Sequence, residues 1–459
     1  MGQGSAGLLA STSQVLEKSS SAATVSSHAV GLELGYWTLA PFALMLICIA
    51  ILPLVAERWF HHNRNKAIIS VVLGVPTLVY LFIAFGQDGM GLAWKSFEEY
   101  VSFIVLLFAL YTISGGIHLT GNAIATPRHN LAYLLVGSVL ANIIGTMGAS
   151  MVLIRPLLRA NSERKYSRHT VIFFIFSVSN VGGLLTPLGD PPLFLGFLRG
   201  VPFGWTLNLW LEWLVALGII LLIYLAIETF YFRKEPETLR IMDEVDFIPM
   251  RIKGLVNAVP LVLVMVAVLF SDRLLKLGEP IHFPFFRELI LVALAVISLR
   301  LCPRGPRACN NFCWPPIVEV AVLFAGIFAT MIPALALLEA RGASFGLTHD
   351  WQYFWATGGL SSFLDNAPTY LTLASVAQGQ VGAETVGALT TAAPGFLAAI
   401  SCAAVFMGAN TYIGNAPNFA VKCIAERSGL KMPSFFGYMA WSGAILVPVW
   451  VIITLIFFL

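Results

Sequence analysis

Two aspartates and a set of asparagines and threonines lie inside stretches that are otherwise apolar, and these are the residues able to do chemistry. Asp190 stands in Thr186-Pro-Leu-Gly-Asp-Pro-Pro-Leu-Phe194, and Asp365 in Ser361-Ser-Phe-Leu-Asp-Asn-Ala-Pro-Thr369. A carboxylate at the centre of an inserted helix costs roughly 2.5–3.5 kcal/mol. Either aspartate could simply cap a helix N-terminus, since Asp-Pro and Asp-Asn are ordinary capping chemistry. Two of them at paired elements, among Asn180, Thr186, Asn366, Asn410, Thr411 and Asn415, point to a cation site instead. Asn, Ser and Thr supply neutral oxygens for a hard cation such as Na⁺. Desolvation favours the protonated acid, and a bound cation favours the carboxylate. A site with those opposed tendencies can exchange H⁺ for Na⁺.

The elements that position these groups repeat each other's punctuation. Thr186–Phe194 aligns with Thr411-Tyr-Ile-Gly-Asn-Ala-Pro-Asn-Phe419, sharing Thr, Gly, Pro and Phe at four positions. A helix crossing lipid bonds every backbone group internally, so such a break survives only against protein or a wet cavity. Matching breaks in two halves are the pattern of chains whose site lies between discontinuous helices. Two further segments, about 131–158 and 351–376, are expected to enter and return as re-entrant hairpins. The first turns near Gly145-Thr-Met-Gly148 and the second near Asp365-Asn-Ala-Pro368. Asn142, Thr146, Ser361, Ser362 and Thr369 at these turns are expected to support the cation site. Glu319, near one end of its span, is a candidate proton relay, or else a headgroup-level or helix-pairing carboxylate.

Composition fixes the setting. The 459 residues are 58% hydrophobic and 11% charged, with mean hydropathy +0.82. Soluble proteins carry about 25% charged residues, so this chain cannot cover a soluble surface and reads as an all-α polytopic membrane protein. Apolar segments fall at about 37–56, 67–86, 99–119, 170–198, 207–231, 254–270, 287–301, 315–339, 391–422 and 434–458. Basic residues orient them: Arg58, Arg64 and Lys66 place the first loop in the cytoplasm and the N-terminus outside. Arg128 precedes the first hairpin and Arg159, Arg164, Lys165 and Arg168 follow it, so both its ends are cytoplasmic. The 377–390 loop has no Lys or Arg, which puts both ends of the second hairpin outside. Five spans and one hairpin per half then run in opposite directions, an inverted repeat.

The expected organisation is a disordered Ser/Ala/Gly-rich tail over 1–35, a first repeat over 36–231, a cytoplasmic linker over 232–253 marked by Arg233, Lys234, Arg240, Arg251 and Lys253, and a second repeat over 254–459. Six cysteines make no disulfide framework, and no metal-ligand spacing is present. His61, His62, His118, His129 and His169 lie near cytoplasmic ends and are expected to be solvated. Arg155 reads as a snorkelling residue, and the tryptophans as an interfacial belt. An enzyme finds little support, since there is no HExxH pair, Ser/His or Cys/His arrangement at span depth, or phosphate-binding loop. Nothing calls for a cofactor or for nucleic acid.

At these residues the chain resembles the ion transporter superfamily of dicarboxylate:sodium symporters, arsenite pumps and sodium:proton antiporters. Ser179-Asn-Val-Gly-Gly-Leu-Leu-Thr-Pro-Leu-Gly-Asp-Pro-Pro192, Ser361–Pro368 and Val318-Glu-Val-Ala-Val-Leu-Phe-Ala-Gly-Ile-Phe-Ala-Thr-Met-Ile-Pro-Ala334 look closest to the NhaD-type antiporter and citrate transporter branch. The Ser-Asn-Thr signature of the dicarboxylate symporters is not intact: Ile143-Ile-Gly-Thr146 and Asp365-Asn-Ala-Pro-Thr369 stand there. The resemblance implies a homodimer in the cytoplasmic membrane working by an elevator movement. It also implies sodium:proton antiport, with Na⁺ and H⁺ as transported or coupling ions near Asp190 and Asp365. The alternative is a sodium- or proton-coupled importer of citrate or another small carboxylate.

Overall fold

A helix–break–helix arrangement appears four times in the computed structural model, which describes residues 27–459 except 61, 123, 237, 239–247, 272, 275–283, 303 and 311. His61, Arg240, most of the linker's acidic stretch and residues 1–26 of the expected tail lie outside the described residues. The main helices are α1 (27–33), α2 (Ala40–Val55), α3 (Asn63–Ser114), α4 (Pro127–Ala160), α5 (Arg168–Ser177), α6 (Pro191–Leu198) and α7 (Trp210–Lys234). After them come α8 (Ala258–Leu269), α9 (Phe286–Leu301), α10 (Pro315–Arg341), α11 (Asp350–Ser361), α12 (Asn366–Val381), α13 (Pro394–Met407), α14 (Ala416–Arg427) and α15 (Phe435–Phe457). Seven helical segments among the described residues are long and apolar enough to cross a membrane. The protein is an integral, all-α polytopic membrane protein with one small exception. Strands β1 (His118–Asn122) and β2 (Ile248–Lys253) pair antiparallel, His118 opposite Lys253.

Three expectations shift. The span expected over 99–119 stops at Ser114 and its last residues become β1, because an extended partner, β2, bonds to them. The tail expected to 35 is helical over 27–33. Val30 and Leu34, four apart, bury themselves against Ala336 and Leu337 of α10. The Ser27 hydroxyl donates to Glu339 at 2.9 Å, and the Arg341 guanidinium to the Leu34 carbonyl at 2.9 Å. Lastly, α3 is two helices meeting at Gly86 (φ 54°) rather than two spans parted by a loop.

The helix α4 reverses at Gly145, whose φ of 77° and ψ of 155° only glycine adopts readily. Gly137 and Leu153, eight residues to either side, pack together there: a Cβ on Gly137 would lie 2.9 Å from the Leu153 side chain. Continuous helix would hold those residues ~24 Å apart. The turn docks on the break that follows α5, where the Thr146 N–H donates to the Gly189 carbonyl at 2.8 Å. Gly145→Ala places a Cβ 3.2 Å from the Leu188 carbonyl in a left-handed backbone. We expect it to cost roughly 1–3 kcal/mol, read as a lower unfolding temperature in detergent. Ile143→Val, at an exposed position two residues earlier, is the neutral control.

The second helical pair, α11 and α12, turns at Ser362–Asp365 and docks the same way. There the Ser361 hydroxyl donates to the Ala404 carbonyl at 2.8 Å, and Thr411 to the Ser362 carbonyl at 2.5 Å. The two breaks share their backbone. Asp190 (φ −143°, ψ 144°) and Asn415 (φ −150°, ψ 139°) are extended N-caps of helices with proline in the first turn. Thr186 and Thr411 are extended too, each bonding its hydroxyl to a hairpin-turn carbonyl. In both loops two glycines touch, since a Cβ on Gly189 would lie 2.1 Å from the Gly183 carbonyl and one on Gly414 2.7 Å from that of Gly408. The paired elements interlock, α6 against α12 and α14 against α4 and α5, which brings four chain breaks to one place.

Candidate functional site

Asp190 is the centre of that place and is almost wholly enclosed. Three donors from three elements converge on its carboxylate. Thr146 Oγ1 at the first turn donates at 2.6 Å, Asn366 Nδ2 at the second turn at 2.5 Å, and Asn415 Nδ2 at the second break at 3.2 Å. The capping alternative does not apply to it, for it makes no side-chain cap bond to α6. It is a junction between the two halves of the chain.

Asp365 has a different situation. It does cap α12, one oxygen accepting from the Ala367 N–H at 3.1 Å. It is half-buried and borders a cavity shared with Gly145, Leu188, Ile317, Val320 and Asn366. The Asn366 side chain is buried and directional: its amide nitrogen is held by Asp190, and its Oδ1 has no hydrogen-bond partner among the described residues. An unsatisfied buried acceptor marks a place for a water, an ion or a proton donor. No Lys, Arg or His is among the described residues lining the cavity. Its described polar lining is Asp190, Asp365, Asn366, Asn415, Thr146 and Tyr111, and the remaining walls are apolar.

The other expected site residues fall into two groups. Asn415 joins Asp190 directly and Asn180 through it: Asn415 Nδ2 lies 3.2 Å from both Asn180 Oδ1 and Asp190 Oδ1. Thr186, Asn410, Thr411, Asn142, Ser361, Ser362 and Thr369 surround them in holding roles. Asn142 accepts from the Leu185 N–H at 2.8 Å, Asn410 bridges Ser362 Oγ (2.8 Å) and Trp450 Nε1 (3.1 Å), and Thr369 donates to the Asp365 carbonyl at 2.9 Å. These bonds pin hairpin turns to breaks. Glu319 is elsewhere, paired at 2.7 Å with the buried Lys66 of α3, and so takes the helix-pairing part of its expectation.

Sequence reasoning missed three features. Asn418 links the halves, accepting from Asn180 Nδ2 at 2.7 Å and donating to the Gly408 and Thr411 carbonyls at 2.8 and 2.9 Å. Its signal was a polar residue within the second motif where the first has Leu193. Ser150 and Ser179 share a hydrogen bond of 2.7 Å between the first hairpin and its break. The third is a buried charged cluster. Glu228 of α7 meets Arg164, His169 Nε2 (2.5 Å) and Asn130 Nδ2 (3.0 Å). His169 is therefore buried, and so is His118, 2.7 Å from Asn310. Both were expected in solvent. Buried acceptors on other elements claim them, while His62 and His129 are exposed. Glu228 carried no sequence signal beyond being an acid in an apolar span.

A family model described as "Putative citrate transport" matches residues 31–458, nearly the whole chain. The comparison with curated proteins found no match.

Proposed function

Because the chain belongs to that citrate transport family, we propose that it is a secondary active transporter and, in its simplest working form, a sodium:proton antiporter. The observation that carries the reading is the presence in one cavity lining of Asp365 and of Asn366, whose Oδ1 has no hydrogen-bond partner among the described residues. These are hard oxygen donors in a cavity with no basic residue among its described lining. A cation binds there by adding to a negative site, and a multiply charged anion meets repulsion. Na⁺ and H⁺ compete for the Asp365 carboxylate, so occupancy by one excludes the other, which is the condition for exchange.

In this reading the matching breaks and hairpins form an inverted repeat, the hairpins are re-entrant from opposite faces, and the N-terminus lies outside the cytoplasmic membrane. Alternating access then moves the four-break core against α3 and α10, in a homodimer. The equal backbone geometry at Asp190 and Asn415 supports the repeat. The placement of Arg and Lys supports the orientation.

The family description favours a second reading, coupled uptake of citrate or a similar carboxylate. Cations at Asp365 would then bind first and screen the substrate, and the N-termini of α6 and α14 would face its carboxylates. Proteoliposomes holding a pH-sensitive dye and a preset proton gradient separate the two. Antiport predicts that NaCl dissipates the gradient, that citrate adds nothing, and that choline salts are silent. A response to sodium citrate with none to NaCl would overturn antiport in favour of carboxylate transport.

A further inference from the structure

Three buried hydroxyls in the second half, two on α11 and one on α12, have no hydrogen-bond partner among the described residues. Along α11, Asp350, Tyr353, Thr357 and Ser361 follow one another at spacings of three, four and four, a single helix face. That face lies against α13 with the two helices parallel. Asp350 sits at Gly395, the Tyr353 ring packs on Phe396 with centroids 4.5 Å apart, and Ser361 bonds to Ala404. Thr357 and Ser401 thus occupy the same level between them. Tyr353 and Thr357 are fully buried, as are Ser375 of α12 and Ser401 of α13. The hydroxyls of Tyr353, Thr357 and Ser375 have no hydrogen-bond partner among the described residues. Ser401 has none in bonding geometry, only the hydroxyl of Tyr370 nearby.

The first half differs. Its hairpin and break hydroxyls are satisfied: Ser138 on Leu134, Ser177 on Phe173, Ser150 on Ser179. Native interiors leave few polar groups unpaired, and runs of them mark water. The stripe begins at the half-buried Asp350 and ends at Ser361, four residues before Asp365 across the turn and ~16 Å along the helix from Asp350.

We propose that the α11–α12–α13 seam holds a file of buried water molecules that carries protons between the Asp350 end of the protein and Asp365. Each water or hydroxyl accepts one proton and passes one on, so the net step delivers a bulk proton to the Asp365 carboxylate as the cation leaves. The water file rests on the unpaired hydroxyls alone. Its proton-carrying role rests on the antiport reading.

Two measurements test it on the full-length protein. In X-ray hydroxyl-radical footprinting, radicals form from water at the site of labelling. Tyr353 should be modified well above Tyr438, which is equally buried but has its hydroxyl on the Ala409 carbonyl at 2.8 Å. Equal protection of the two would overturn the file. In proteoliposomes, Thr357→Val with Ser375→Ala removes two hydroxyls that have no hydrogen-bond partner among the described residues, so the fold is kept. Sodium-driven proton exchange should slow about tenfold with Na⁺ affinity unchanged. Exchange at the wild-type rate would overturn the path. Tyr353 labelling in a protein that shows no exchange with NaCl would instead overturn the proton role and the antiport reading, leaving the water file.

Discussion

Asp365→Asn abolishes sodium-dependent proton exchange and leaves the protein folded. Asparagine caps a helix as well as aspartate does, so the bond from the Ala367 N–H that orders the start of α12 survives the change. What disappears is the negative charge and the group that can take a proton. An amide oxygen still offers a lone pair to Na⁺, but a neutral site gains nothing from exchanging one ion for the other. Exchange should fall to the level of empty liposomes, with the unfolding temperature close to wild type. Asp365→Glu, which keeps the charge and displaces it by one methylene, should retain a fraction of the rate. Full exchange by the asparagine variant would remove Asp365 from the mechanism and direct attention to Asp190.

The same residues show how far the sequence could be read. The two breaks were legible because Thr, Gly, Pro and Phe recur at fixed spacing in stretches where a membrane tolerates little polarity. Gly145 and Asp365 were legible as turns for the same reason, and the structure brings Asp190, Thr146, Asn366 and Asn415 into hydrogen-bonding contact. The division of labour between the aspartates was not legible. Both stand before a helix and both line the cavity, and only the placement of Thr146, Asn366 and Asn415 decides that Asp190 bonds across the halves while Asp365 caps its own helix. Long-range pairing was equally hidden. Lys66 finds Glu319 far along the chain, and His169 finds Glu228 across 59 positions. A basic residue near a span end signals orientation on average, yet each of these turns inward to meet one acid. The Val30–Leu34 contact was hidden by scale, since two apolar residues four apart give too short a pattern to read as a packed helix.

Asp190 separates stability from ion binding when two substitutions are compared. Asp190→Ala leaves the Thr146 hydroxyl and the Asn366 amide group without their acceptor in a closed place, while Asn415 keeps only the Ser179 carbonyl and Asn180 Oδ1. Each stranded donor costs roughly 1–3 kcal/mol, so the variant should lose about 3 kcal/mol or more and unfold at distinctly lower temperature. Asp190→Asn has an escape. If its amide nitrogen takes the Oδ2 position, the remaining oxygen still serves Thr146 and Asn415. Asn366 then turns over so that its Oδ1, unpartnered among the described residues of the native protein, accepts from residue 190. The fold survives, but the oxygen that faced the cavity now points inward and an NH₂ group faces the cation. The asparagine variant should therefore unfold near the wild-type temperature in choline chloride. Na⁺ should raise the unfolding temperature of the wild type through preferential binding to the folded state and leave that of the asparagine variant unchanged. A sodium-dependent shift of wild-type size in Asp190→Asn would mean that the Asn366 oxygen does not ligate the ion, and Asp365 would have to hold it with other partners.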